Sequence, residues 1–144
     1  MFSNKEKMVR AANGLFFALI GATGVYIMTA YLFSLESPGL AADRPGFIQI
    51  LFLTFLSISV GNVALIIFTQ STKFRSGRRQ LNPVGWVFTI FSAGAVLAEG
   101  MTVYGLVLAL FSGSIFYVVG FAVASWTVLW WVRTRFKQNL QRLP

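Results

Sequence analysis

Four long apolar runs, at about residues 11–33, 46–68, 84–111 and 115–132, are separated by three short polar or charged segments. Each run is close to or longer than the roughly 20 residues that an α-helix needs to cross hydrocarbon, so the pattern predicts four transmembrane helices. The third run exceeds that length and should tilt or protrude. Between the first two runs lies SLESPGLAADRP, residues 34–45, rich in turn formers and carrying Glu36, Asp43 and Arg44. Between the second and third lies STKFRSGRRQLNP, residues 71–83, with Lys73, Arg75, Arg78 and Arg79 and no acid. Ser112-Gly113-Ser114 makes a tight connection between the third and fourth. The expectation is an all-α membrane protein: one integral membrane domain over residues 1–144, with four transmembrane helices.

Composition narrows the chemistry. The chain is 56% hydrophobic and 11% charged, whereas a soluble domain carries about a quarter charged residues. With no Cys and no His, it has no thiol nucleophile, disulfide, thiolate or imidazole zinc site, or His-based acid–base chemistry. Four acidic residues in all argue against a carboxylate metal cluster, and no catalytic set is visible, so no enzyme activity and no cofactor are expected. A net charge of +8 would suit an anionic polymer as partner, but eleven of the twelve basic residues fall in three clusters flanking the apolar runs. There they set topology and meet lipid headgroups, and no nucleic-acid partner is expected.

The same clusters orient the chain. Lys5, Lys7 and Arg10 precede the first run, four basic residues lie in the 71–83 segment, and Arg133, Arg135, Lys137 and Arg142 follow the fourth. The positive-inside rule then predicts cytoplasmic termini, with Asp43 on the opposite side. Trp126, Trp130 and Trp131 beside the last cluster read as an interfacial aromatic belt. A basic lead before an apolar run can open a signal peptide. The first run is too long for a signal core, however, and is read as a retained helix. A faint echo between residues 23–34 and 101–112, and between Thr72-Lys73-Phe74-Arg75 and Thr134-Arg135-Phe136-Lys137, allows two duplicated hairpins.

Glu99 is the acidic residue inside a long apolar run, with about 13 uncharged residues on each side. An ionised carboxylate at the bilayer centre costs about 2.5 kcal/mol or more, so Glu99 is expected to rest neutral and hydrogen-bonded, as an ion carrier or as an interhelical hydrogen-bonding group. About twenty residues separate it from the Arg79 turn, and a similar count backwards reaches Asn62 and Ser59 in the second run. An antiparallel pair of these helices puts the three at similar depth, so Asn62 or Ser59 is the expected partner, with the Tyr104 hydroxyl reaching the carboxyl of a neighbouring copy. Gly94, Ala98, Gly100 and Gly105 are the expected close-packing positions around it.

Glu99 is followed by Tyr104-Gly105-Leu106-Val107 and Ala109-Leu110, in a frame with Gly94, Ala95, Ala98 and Gly100. This stretch, with the preceding Arg78-Arg79-Gln80-Leu81-Asn82-Pro83, resembles the carboxylate helix and polar loop of the rotor-ring proteolipid, subunit c of F-type and V-type ATP synthases. The resemblance implies that Glu99 binds an ion, travels at the rim of a ring of copies and discharges at a stator. Sodium-binding members place a hydroxyl directly after the carboxylate. Gly100 stands there, so the resemblance implies a proton. The second run lacks that family's dense glycine repeat, and the carboxylate lies on the third helix rather than the last. The alternatives are an accessory or assembly subunit of a larger membrane complex and, third, a small proton-coupled transporter. In each case the partners are the bilayer and other membrane subunits or copies of the chain itself.

Overall fold

The computed structural model describes residues 4–71 and 83–142. These form four helices: α1 (Asn4–Glu36), α2 (Pro45–Thr69), α3 (Pro83–Ser112) and α4 (Ile115–Gln141). All four are long and apolar enough to cross a membrane, as the hydropathy pattern predicts. The helices overrun the apolar runs at their polar ends. α1 already includes Lys5, Lys7 and Arg10, and α4 continues through Arg133, Arg135 and Lys137, because helical hydrogen bonding does not stop where the hydrocarbon does. The basic segment around Arg78 and Arg79, including the Arg-Gln-Pro part of the resemblance, lies outside the described residues at 72–82.

α3 is the hub. It packs against each of the other helices, most extensively α4, while α1 also lies on α4 and α1 scarcely touches α2. Half of α3's apolar stretch is buried inside the chain, against 11% of α2's. Such contacts gain little from the hydrophobic effect, because lipid is as apolar as a neighbouring helix; close backbone approach takes its place. Gly105 supplies it. A Cβ there would lie 2.7 Å from Phe121 Cβ and 2.9 Å from both Tyr117 O and Val118 Cα. Gly94 is less tight: its Cβ would meet Val132 Cγ1 at 3.3 Å. Phe91, Ala95, Ala98, Leu129 and Val132, all fully buried, complete the seam between α3 and α4.

The two hairpins pack differently: α3 and α4 form a close pair, and α1 and α2 do not. The loop between α1 and α2 leans on α3 instead. Leu40 N–H donates to Leu110 O at 3.0 Å and Ala41 N–H to Phe111 O at 2.9 Å, satisfying carbonyls that a helix end leaves open. Gly39 (φ +107°) and Gly113 (φ +72°) lie backbone to backbone in this joint, where side chains would collide and the left-handed conformation is strained for other residues. Asp43 and Arg44 pair at 3.9 Å on the exposed loop, a contact worth little.

At the other end, Arg133 Nη2 donates to Asn13 Oδ1 at 2.9 Å, and its guanidinium lies 4.3 Å from the centre of the Phe16 ring. Asn139 Nδ2 donates to Gln70 Oε1 at 3.5 Å. The beginning of α1 and the ends of α2 and α4 thus share one face of the bundle, and the described basic residues except Arg44 gather there.

Candidate functional site

Glu99 sits near the middle of α3, about 24 Å from its start and about 20 Å from its end at 1.5 Å per residue. It is 6% exposed and faces α1. Thr23 Oγ1, fully buried on α1, lies 3.2 Å from Glu99 Oε1, 3.1 Å from Oε2 and 3.1 Å from the carbonyl oxygen of Leu19. A threonine hydroxyl has one hydrogen to donate and two lone pairs to accept with, so this set of atoms can be hydrogen-bonded in two ways. When Glu99 is neutral, its O–H donates to Thr23 Oγ1, and Thr23 donates to Leu19 O. When Glu99 is ionised, Thr23 turns its hydrogen to the carboxylate and leaves Leu19 O in its ordinary helical bond. No described basic side chain pairs with Glu99.

Two further hydroxyls share this depth. Thr102 follows Glu99 by one turn, about 4.5 Å along the axis. Ser125 on α4 is placed by the antiparallel seam, since Gly94 lies against Val132 and Gly105 against Phe121, with Glu99 and Ser125 between them. Thr102 and Ser125 are wholly buried and have no hydrogen-bond partner among the described residues. The exposed Thr29, Thr54, Ser57, Thr89, Thr127 and Thr134 each donate to the carbonyl four residues back, the usual resolution for a hydroxyl in lipid. The middle of the bundle is thus a thin polar layer contributed by α1, α3 and α4, with one carboxyl and three hydroxyls.

The expected partners of Glu99 are elsewhere. Ser59 is buried and Asn62 half-buried on α2, and Ser59 shares a hollow with Met101. The depth count was therefore sound to within a turn. The facing was not: residues 99 and 101 point about 200° apart around a helix, so α2 covers Met101 and α1 takes Glu99. Tyr104 stacks on Phe55 of α2, ring centres 4.9 Å apart and planes at 15°, with its hydroxyl folded back towards Gly100. Of the packing positions, Gly94, Ala98 and Gly105 lie in the seam with α4, whereas Gly100 is half-buried with no other atom close. Thr23 was missed. It sits in an apolar run as an unremarked β-branched residue, and its facing depends on which helices touch. Comparison with protein-family models, with curated proteins and with solved structures found no match to this chain.

Proposed function

We propose that this chain is a multi-pass membrane subunit with cytoplasmic termini in which Glu99 takes up and releases a proton inside the bilayer. The carrying observation is the arrangement of Glu99, Thr23 and Leu19, which gives the Glu99 carboxyl a hydrogen-bond partner in either protonation state without moving a heavy atom. The polar layer at the same depth supports it, since a proton leaving a buried carboxyl needs acceptors beside it. The resemblance of residues 99–110 to the rotor-ring proteolipid points the same way, and so does Gly100, which leaves no hydroxyl for a sodium ion next to the carboxylate. Glu99 faces α1 of its own chain, so its exchange runs through the bundle. The clustering of basic residues at one end, with Asp43 at the other, supports the orientation. The reading includes no catalytic chemistry, and the bilayer and other membrane subunits are the partners.

A second reading rests on a specific observation: the Glu99 hydrogen bonds close within the chain. In that case Glu99 joins α3 to α1 in an accessory subunit and carries nothing. Purified protein in liposomes with an internal pH-sensitive dye separates the two. If Glu99 carries protons, Glu99→Gln abolishes flux and leaves yield and melting unchanged, because Gln is nearly isosteric and has no proton to release. Flux equal to wild type in E99Q refutes the carrier role. If Glu99 is a joint only, E99Q is silent and Glu99→Leu destabilises by about 0.6 to 2 kcal/mol.

A further inference from the structure

Arg133 brings a charge into the seam between α1 and α4 and meets no opposite charge there. Its guanidinium lies 4.3 Å from the centre of the Phe16 ring, 5.6 Å from that of Phe17 and 5.8 Å from that of Trp130, and Nη2 donates to Asn13 Oδ1 at 2.9 Å. Three rings and one amide thus fix the plane of the fork. The ring faces attract a cation, but all four groups are neutral. A guanidinium has five N–H donors. Nε is buried with no partner, and no described carboxylate pairs with Arg133. Glu6, the described acid at this end, precedes Asn13 by seven residues, about 10 Å of helix. A half-buried cation held in place without a counter-charge is costly, and its planar fork matches a phosphate.

The surroundings indicate which phosphate. Asn13 lies at the start of the first apolar run, so Arg133 is level with the boundary between hydrocarbon and headgroups. On the water side, Arg10 and Lys137 are exposed one turn away along α1 and α4. On the hydrocarbon side, one turn deeper, Phe17 and Trp130 are 62% and 63% exposed. A free phosphate ion would use the basic groups alone and gain nothing from the two bare rings. A phospholipid uses both, and a zwitterionic headgroup would bring its own ammonium against the basic rim, so charge complementarity selects an anionic one. We propose that α1 and α4 hold an anionic phospholipid at Arg133, its phosphate supplying the counter-charge that the chain does not and its chains lying along Phe17 and Trp130. Basic pockets between transmembrane helices recognise anionic headgroups in this way. The site is separate from the proton-carrying role: Thr23 lies ten residues, about 15 Å, further along α1, so Glu99→Gln keeps the lipid.

Protein stripped of lipid in mild detergent is titrated with phosphatidylglycerol, with phosphatidylcholine of the same chains, or with glycerol phosphate, and the bound species are counted by native mass spectrometry. The wild type should bind phosphatidylglycerol at least about tenfold more tightly than phosphatidylcholine, the scale of a hydrogen bond to a charged group, and should not retain glycerol phosphate. Arg133→Gln should bring the ratio close to one. Arg135→Gln removes the same charge from α4 at a residue whose guanidinium lies over Trp131 at 5.3 Å, and should leave the ratio unchanged. Asn13→Asp is the sharper test, because it is isosteric, keeps the hydrogen bond and gives Arg133 a carboxylate of its own. It should abolish the preference with unchanged helical circular dichroism, and it carries the test even if R133Q fails to fold. A preference that survives in R133Q or N13D, an equal loss in R135Q, or a wild type that does not distinguish the two lipids overturns the proposal. Tight binding of glycerol phosphate overturns it too, and identifies the site as one for a soluble phosphate.

Discussion

Replacing Thr23 with valine tests the centre of the bundle most sharply. Valine has the shape of threonine and no oxygen, so packing between α1 and α3 is preserved and only the contact to Glu99 is lost. Thr23 is fully buried and Glu99 nearly so. A buried polar group left without its partner costs about 1–3 kcal/mol in general. Between membrane helices the measured coupling is smaller, about 0.6 and at most about 1.7 kcal/mol. We expect T23V to lower stability by about 1 kcal/mol, a roughly fivefold change in the unfolding equilibrium at 25 °C. Thr23→Ser, which keeps the hydroxyl, should lose less. The assay is reversible unfolding in micelles for T23V, Glu99→Leu and the double variant, whose cycle isolates the pair because each single change removes the bond. A hydrophobic carbodiimide, which reacts with neutral buried carboxyls, supplies an independent reading of Glu99 in T23V and T23S. A coupling energy indistinguishable from zero, with carbodiimide labelling of Glu99 identical in T23V and wild type, would refute the hydrogen bond and the proton-holding role assigned to it.

Other substitutions probe the frame. Gly105→Ala should destabilise by about 1–3 kcal/mol through overpacking, because the new methyl meets backbone atoms of α4 that cannot rotate away, while Gly100→Ala should be neutral; thermal melts of the two in one detergent make the comparison. Gly39→Ala and Gly113→Ala each force a side chain into a left-handed conformation and into the opposing backbone, so each should lower the melting temperature, while Gly46→Ala, with open space around it, should not. For topology, Asp43→Cys should react with an impermeant maleimide from outside intact cells, and Lys7→Cys only after the membrane is opened; the reverse pattern would invert the orientation.

The four helices and their approximate limits were legible because hydropathy over twenty residues is a strong, one-dimensional signal. The central role of α3 was legible too, through the buried acid and the surrounding glycines and alanines. Thr23 was not. Counting residues from a turn estimates depth well, as Ser59 and Met101 at one hollow demonstrate, but it says nothing of azimuth. Azimuth is decided by which helices pack, and in lipid that depends on a few close approaches such as Gly105 on Phe121 rather than on an amphipathic stripe. The weak internal echo says as little about packing: similar words in two hairpins do not make similar neighbours.

That α1 and α2 scarcely touch has a consequence for biogenesis. A chain inserting from its N-terminal end delivers α1 and α2 to the bilayer before α3 exists, and each stands in lipid as a separate, independently stable helix. The first tertiary contacts form only when α3 arrives, and α3 must then find α1 across α2, its nearer neighbour in sequence. Until that happens Glu99 lacks Thr23, and the neutral carboxyl is exposed to solvent or to whatever assists insertion. The emergence of α3 is thus the committing step of assembly. A chain truncated after residue 82 and released into the bilayer should show two uncoupled helices, accessible along their whole length to photocrosslinking by lipid.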